Sequence, residues 1–259
     1  MIKVREVYEL CNRVSPFEKQ EVWDKSGLNL GSFDDEIEHI VVCLELNSQI
    51  AYSLQPRTLV ITHHPLFFKP INAFCTHLYP ANLAKILLNK DCALIALHTN
   101  FDLSHLNAYL VHKILKWEHF VQEGLFMRGE IAPLALDELA QYVCNALGAK
   151  SVNLVRSDNP TRLDSNSSLM IHEVYVVCGS GCSMLSLIPP LPSTCFVTSD
   201  IKHHDAMMAK SMGISLIDMG HYESEKYFVE IFESILQNAG YKGIIADCEN
   251  PFSLCLRDI

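Results

Sequence analysis

Residues 58–65 read TLVITHHP, an apolar run of strand length that ends on two histidines and a proline. Four other runs share its texture: HIVVCLEL (39–46), CALIALHTN (92–100), STCFVTSD (193–200) and ISLIDMGH (214–221). None of them alternates cleanly between apolar and polar residues. Strands covered on both faces read this way, as in a parallel sheet, whereas half-exposed strands alternate. Helical patterns lie between the runs. PANLAKILLNK (80–90) sets Leu83, Ile86 and Leu87 on one side, and HLNAYLVHKIL (105–115) does so with Leu106, Leu110, Val111 and Ile114. The alternation predicts an α/β fold.

A different texture holds between about Gln122 and Pro192. EGLFMRGE (123–130) reads as a glycine-flanked turn. LALDELAQYVCNALG (134–148) reads as a helix, with Leu136, Leu139, Ala140, Val143 and Leu147 on one face and Gly148 as its C-cap. SVNLVRSD (151–158) and HEVYVVCGSG (172–181) read as strands on either side of a polar loop, TRLDSNSS (161–168). The expected organisation is therefore a two-layer sheet-and-helix domain, residues 1–122 and 193–259, interrupted by a smaller inserted α+β domain at 123–192. IPPLP (188–192) would mark the second boundary.

Length and composition fit that picture. The chain has 259 residues, 49% apolar and 19% charged, which is enough to bury a core in one large domain or two smaller ones. A formal net charge of -10 argues against a general grip on nucleic acid, which needs clustered Lys and Arg for phosphate. The ten cysteines show no CxxC spacing, and Cys43, Cys92 and Cys178 sit inside apolar runs. No basic segment precedes an apolar one at the N-terminus, and no apolar stretch is long enough to span a membrane. These features predict reduced thiols in a cytoplasmic protein.

Chemistry gathers where the strands end. The runs terminate in His63-His64, in His98 with Asp102 just beyond, in Asp200 with His203-His204 following, and in Asp218 with His221. In parallel α/β sheets, ligands bind outside the carboxyl ends of the strands, so these groups could converge. His221 and Glu225 are four apart at the start of an expected helix over 221–239, which puts them on one face of its first turn. Imidazole with carboxylate suits Zn, Mn, Fe or Ni better than Ca or Mg. His63, His64, Asp102, His221 and Glu225 exceed the need of one tetrahedral ion and fit a two-metal site. Each element alone has a plainer reading: a His-His pair as a polar turn, a His-Glu pair as a solvated helix face, Asp102 as a helix cap.

These residues resemble a known family, the YbgI-type or Nif-three-like proteins, often described as GTP cyclohydrolase I type 2 homologues. VWDKSGLNLG (22–31) is similar to the family's WDNxGLxxG segment, ITHHPLFF (61–68) to its THHP signature, and HTNFD (98–102) to its HTxxD signature. EGLFMRGEIAP (123–133) and VCGSGCS (177–183) resemble two of its glycine turns. VTSDIKHHDAMMA (197–209) resembles its TGDxxHHxAxxA segment, and DMGHYESE (218–225) its D-x-GHxxSE signature. The resemblance covers nearly the whole chain. It implies metal ligands at His63, His64, Asp102, His221 and Glu225, the set that spacing also suggests. It also implies a ring-shaped homohexamer with metal sites facing an internal cavity. The chain departs from the pattern at Leu103-Ser104-His105-Leu106, where glycines are usual, at Ser199 for Gly, and at Glu45 for Asp. These departures touch the substrate pocket and leave the ligands intact.

The function implied by the resemblance is a dinuclear metal-dependent hydrolase acting on a purine nucleotide, GTP cyclohydrolase being the named candidate. That reaction adds water at C8 of guanine, opens the imidazole ring and releases formate. His98 and His203 are the candidate proton shuttles, because imidazole titrates in the working range. The plainer reading of His203 and His204 is an exposed first turn of a helix at 202–212. Two other classes stay open: a non-catalytic metal-holding scaffold or regulatory partner, and a metal-dependent phosphoesterase.

Overall fold

The computed structural model describes residues 1–158, 170–253 and 255. The chain divides into two compact units: Met1–His105 with Tyr227–Glu249, and Leu106–Lys226 with Asn250–Ile259. Both mix helices with a sheet, so the α/β expectation holds.

In the first unit the sheet order is Gly243–Ile245, His39–Cys43, Thr58–Thr62, Ala93–Ala96, Gly27–Leu30. Neighbours are parallel except the last pair, which is antiparallel. Every residue of Thr58–Thr62 and of Ala93–Ala96 is buried, which is why these runs carry no polar alternation. Register sets Val60 opposite Val41 and Leu94. The helix Phe228–Asn238 turns Phe228, Phe232 and Leu236 inward at the four-residue spacing of one helical face. Phe228 meets Phe101 with ring centroids 4.9 Å apart, so an aromatic cluster lies beneath the strand ends.

The second unit holds a six-stranded sheet in the order Val121–Glu123, Phe126–Ala135, Met170–Val176, Thr194–Thr198, Ser215–Asp218, Asn153–Val155. Its central pairs are parallel, Val174 opposite Cys195 and Phe196 opposite Leu216, and the others are antiparallel. The turn expected at 123–130 is a hairpin pivoting on Gly124. The helix expected at 134–148 runs Leu136–Leu147, buries the five residues named from its sequence, and ends on Gly148 at φ 63. That left-handed C-cap suits a residue without Cβ.

Three expectations are corrected. All five apolar runs form strands, but three belong to the first unit's sheet and two, Thr194–Thr198 and Ser215–Asp218, to the second's. The two compact units divide at 105/106 and 226/227. Thr194–Thr198 pairs in parallel with Met170–Val176, which places the chain just beyond 192 in the same sheet as the strand before it. The single helix expected over 221–239 is two, His221–Glu225 and Phe228–Asn238. The helix expected at 105–115 begins earlier, at Thr99–Phe101, and includes π-helical stretches at Asp102–Leu106 and Leu110–Ile114. The polar loop expected at 161–168 lies outside the described residues.

Candidate functional site

Metal-type ligands cluster in each unit. In the first, the Thr58–Thr62 strand runs directly into His63, and the backbone amides of His63 and His64 both donate to the carbonyl of Leu44, at 3.0 and 3.1 Å. Thr62 Oγ1 donates to the carbonyl of His64 at 2.8 Å, fixing the turn. His63 is fully buried, and its Nδ1 lies 2.8 Å from the carbonyl oxygen of Leu97. A carbonyl only accepts, so Nδ1 carries a proton, and the neutral tautomer of that ring offers the Nε2 lone pair, the arrangement a metal-binding imidazole needs. Nε2 lies 3.5 Å from Asp102 Oδ1. Asp102 is buried and opens the π-helical stretch Asp102–Leu106, a winding often found at functional sites.

His98 stands beside this pair. Its Nδ1 is 2.8 Å from Oδ1 of the buried Asp24. Asp24 also accepts from the Thr99 amide at 2.9 Å, the Thr99 hydroxyl at 2.5 Å and the Lys25 amide at 2.7 Å. Burial pushes the Asp24 carboxyl up, but the hydrogen bond and charge of His98, with the Thr99 contact, hold it well below the usual carboxylate range. His63, His64 and His98 offer nitrogen atoms that all lie within 4.8 Å of one another. Glu45 Oε2 is 3.6 Å from His64 Nδ1, so the Glu at the position where the resemblance expects Asp still reaches that imidazole.

In the second unit, Asp200 follows the Thr194–Thr198 strand in a left-handed conformation, φ 55, and places Oδ2 2.7 Å from His221 Nδ1. The other ring nitrogen, Nε2, is 3.0 Å from Oε2 of Glu225, one helical turn on. Burial alone would lower the His221 pKa, but the hydrogen bonds to Asp200 and Glu225 push it up to about 11. The buried Glu225 rests against Gly179 of the VCGSGCS turn, where φ is +61 and an added Cβ would collide with the Glu225 carboxylate. Three hydroxyls hold that turn. Ser224 Oγ accepts from the Gly179 amide at 3.0 Å, while Thr198 Oγ1 and Ser199 Oγ donate to the Gly179 carbonyl at 3.0 and 2.6 Å. Asp218 accepts from the Gly220 and Ile201 amides at 3.1 and 3.4 Å, a bracing role.

His203 and His204 are exposed on the first turn of the helix His203–Met212. Neither joins a group of potential ligands among the described residues. The plainer reading of that pair is the one its surroundings match. Two residues escaped the sequence analysis as site residues: Asp24, which orients His98, and Asp200, which orients His221. The signal for Asp24 lay in VWDKSGLNLG and that for Asp200 in its place after a strand. Both units thus present imidazoles whose Nδ1 faces an oxygen acceptor, with carboxylates at the Nε2 side of His63 and His221. This donor chemistry fits Zn, Mn, Fe or Ni.

Comparison with known proteins agrees with the motif pattern. The model of the Duf34/NIF3 (NGG1p interacting factor 3) family matches residues 2–250. A Helicobacter pylori protein named GTP cyclohydrolase 1 type 2 is 42% identical over 254 residues, covering 98% of this chain and 100% of its own. A Campylobacter jejuni GTP cyclohydrolase 1 type 2 homolog is 34% identical over 251 residues, covering 97% and 99%. Among solved structures, a Staphylococcus aureus hypothetical protein gives a TM-score of 0.79 at 21% identity, covering 98% of this chain and 99% of its own. The protein ybgI gives 0.78 at 19%, covering 97% and 100%. At those identities the two structures speak for the fold. The family model and the relatives matched along nearly their full length speak for descent, and this chain belongs to the Duf34/NIF3 family.

Proposed function

We propose that this protein is a metal-dependent hydrolase acting on a purine nucleotide, with GTP as substrate and dihydroneopterin triphosphate and formate as products. The observation that carries the metal chemistry is the oriented donor set: a buried His63 whose Nδ1 proton is spoken for by a carbonyl, and a His221 bonded to Asp200. Two divalent ions, drawn from Zn, Fe, Mn or Ni, would be held by His63, His64, Asp102, His221 and Glu225, the set that the family resemblance implies. Bound divalent ions lower the pKa of water towards ~7 and polarise oxygen atoms. The nucleotide enters from the name of the Helicobacter pylori relative at 42% identity.

Hydrolysis at C8 of guanine adds water, opens the imidazole ring and expels that carbon as formate, and each stage moves a proton. His98 is built to move one. Asp24 holds its Nδ1, which fixes the ring and leaves Nε2 as the atom that would take and return the proton. His203 was the other candidate, and its exposed position supports it less. The family resemblance supports a homohexamer. No helix among the described residues is long and apolar enough to cross a membrane, in keeping with the proposed cytoplasmic location.

The test is incubation of metal-reconstituted protein with GTP, reading formate and pterin fluorescence beside phosphate release from a phosphoester panel. Formate with a fluorescent pterin is the expected result. Phosphate alone would make the protein a phosphoesterase, and neither product would make it a metal-holding scaffold.

A further inference from the structure

The first unit leaves two large aromatic side chains open to solvent beside His98. Trp23 is 53% exposed and Phe68 is 49% exposed. Their ring centroids are 5.7 Å apart, and those of Trp23 and Phe68 lie 5.9 and 5.8 Å from that of His98. Both meet the imidazole steeply, at 75° and 78°, so they stand over it as walls over a floor.

The walls are anchored. Asp24, next to Trp23, is bound to His98 and Thr99, and the amide of Glu21 donates to Thr99 Oγ1 at 2.9 Å. On the other side the amide of Leu66 donates to Asn29 Oδ1 at 3.0 Å, two residues before Phe68. An exposed aromatic held by its backbone binds a flat partner at little entropic cost.

We propose that Trp23 and Phe68 form the stacking site for the purine base of the nucleotide. The inference rests on the proposed nucleotide substrate and adds which residues recognise its base. The chemistry favours a base over an aliphatic or peptide partner: two π-faces stand beside a proton-moving imidazole, and every nucleobase has a π-face to offer. Lys25 and Lys69, exposed and close in sequence to the two aromatics, add positive charge suited to a polyphosphate in a chain of net charge -10.

The experiment uses the full-length, metal-reconstituted protein and titrates it with GTP and with inorganic tripolyphosphate, which lacks a base. Trp117, the other tryptophan, is 7% exposed, so quenching of the accessible emission reports on Trp23. The expected result is quenching by GTP and not by tripolyphosphate. Affinities of the variants are read by titration calorimetry, which needs no fluorophore, and there Trp23→Ala should weaken GTP binding on the order of tenfold, the loss typical of one base–aromatic stack. Trp23→Phe should restore most of it, tripolyphosphate affinity should stay constant throughout, and Phe68→Ala provides a second variant should Trp23→Ala misfold. Equal affinities for GTP in all variants, equal losses for GTP and tripolyphosphate, or no GTP binding by the parent protein would overturn the proposal. So would a changed oligomer mass in Trp23→Ala, which would make the patch a contact between copies of the chain. The two readings fail separately. Base-dependent binding without formate removes the hydrolase and keeps the stack, whereas formate release with a KM indifferent to Trp23 does the reverse.

Discussion

His63-His64 and His203-His204 are the same dipeptide, each placed after a parallel strand, yet their surroundings differ completely. His63 follows Thr62 without a gap, and two backbone hydrogen bonds to Leu44 bind the pair to the end of the neighbouring strand. The His203 pair begins five residues after Thr198 and opens a helix whose first turn faces solvent. The first pair therefore sits among His98, Asp102 and Glu45, while the second has ring contact only with itself among the contacts recorded for described residues. The lesson concerns register. A histidine at a strand end inherits the rigidity of the sheet, and one a few residues later inherits the exposure of whatever element follows.

The comparison can be broken or sharpened by experiment. The largest effect should follow metal removal. Dialysis against a chelator, followed by the formate assay, should abolish turnover, and re-addition of Zn, Mn, Fe or Ni should restore it. Next in size is the support beneath the first pair. Phe228 is fully buried with its ring 5.2 Å from that of His63, so Phe228→Ala should cost about 3–5 kcal/mol in denaturant unfolding. Met207→Ala, on the His203 helix and 51% exposed, should stay within about 0.5 kcal/mol. If the two losses were equal, the contrast in packing would be wrong.

Proton transfer should also separate the regions. His98→Ala should lower kcat ~100-fold, as for a lost general acid or base, while His203→Ala leaves it unchanged in the same assay. Asp24→Asn should cost about tenfold, because it keeps the His98 contact but removes the charge that orients and strengthens it. A His203 effect equal to that of His98 would move the proton shuttle to the exposed helix. The smallest effect should come from Gly179→Ala. The new methyl would push the Glu225 carboxylate from its seat, so metal content should fall, but by less than in Glu225→Ala.

Much of this was legible in the sequence. The five strands read correctly because burial on both faces leaves an unbroken apolar run, and each expected ligand lies within a few residues of a strand end or on the first turn of a helix. Sheet membership was not legible. Thr58–Thr62 and Thr194–Thr198 are both buried throughout and pair in parallel on both sides, so nothing within either run names its partners. The break after Glu225 was hidden because Phe228, Phe232 and Leu236 keep a helical spacing with His221 and Glu225, so the interruption leaves no gap in the pattern. Asp24 was overlooked as an orienting group because its partners, His98 and Thr99, are 74 and 75 residues away. Asp200 was marked only as a strand end, since its left-handed backbone is not written in its identity.

The central claim is that one histidine pair holds metal and the other does not, and metal analysis of two double variants tests it most directly. Protein purified without chelator should carry about two transition-metal ions per chain, as a two-metal site requires. His203→Ala with His204→Ala should keep that number, while His63→Ala with His64→Ala should lose most of it, with the oligomer mass checked in each. Retention of full metal by the His63/His64 variant, or an equal loss from the His203/His204 variant, would contradict the account.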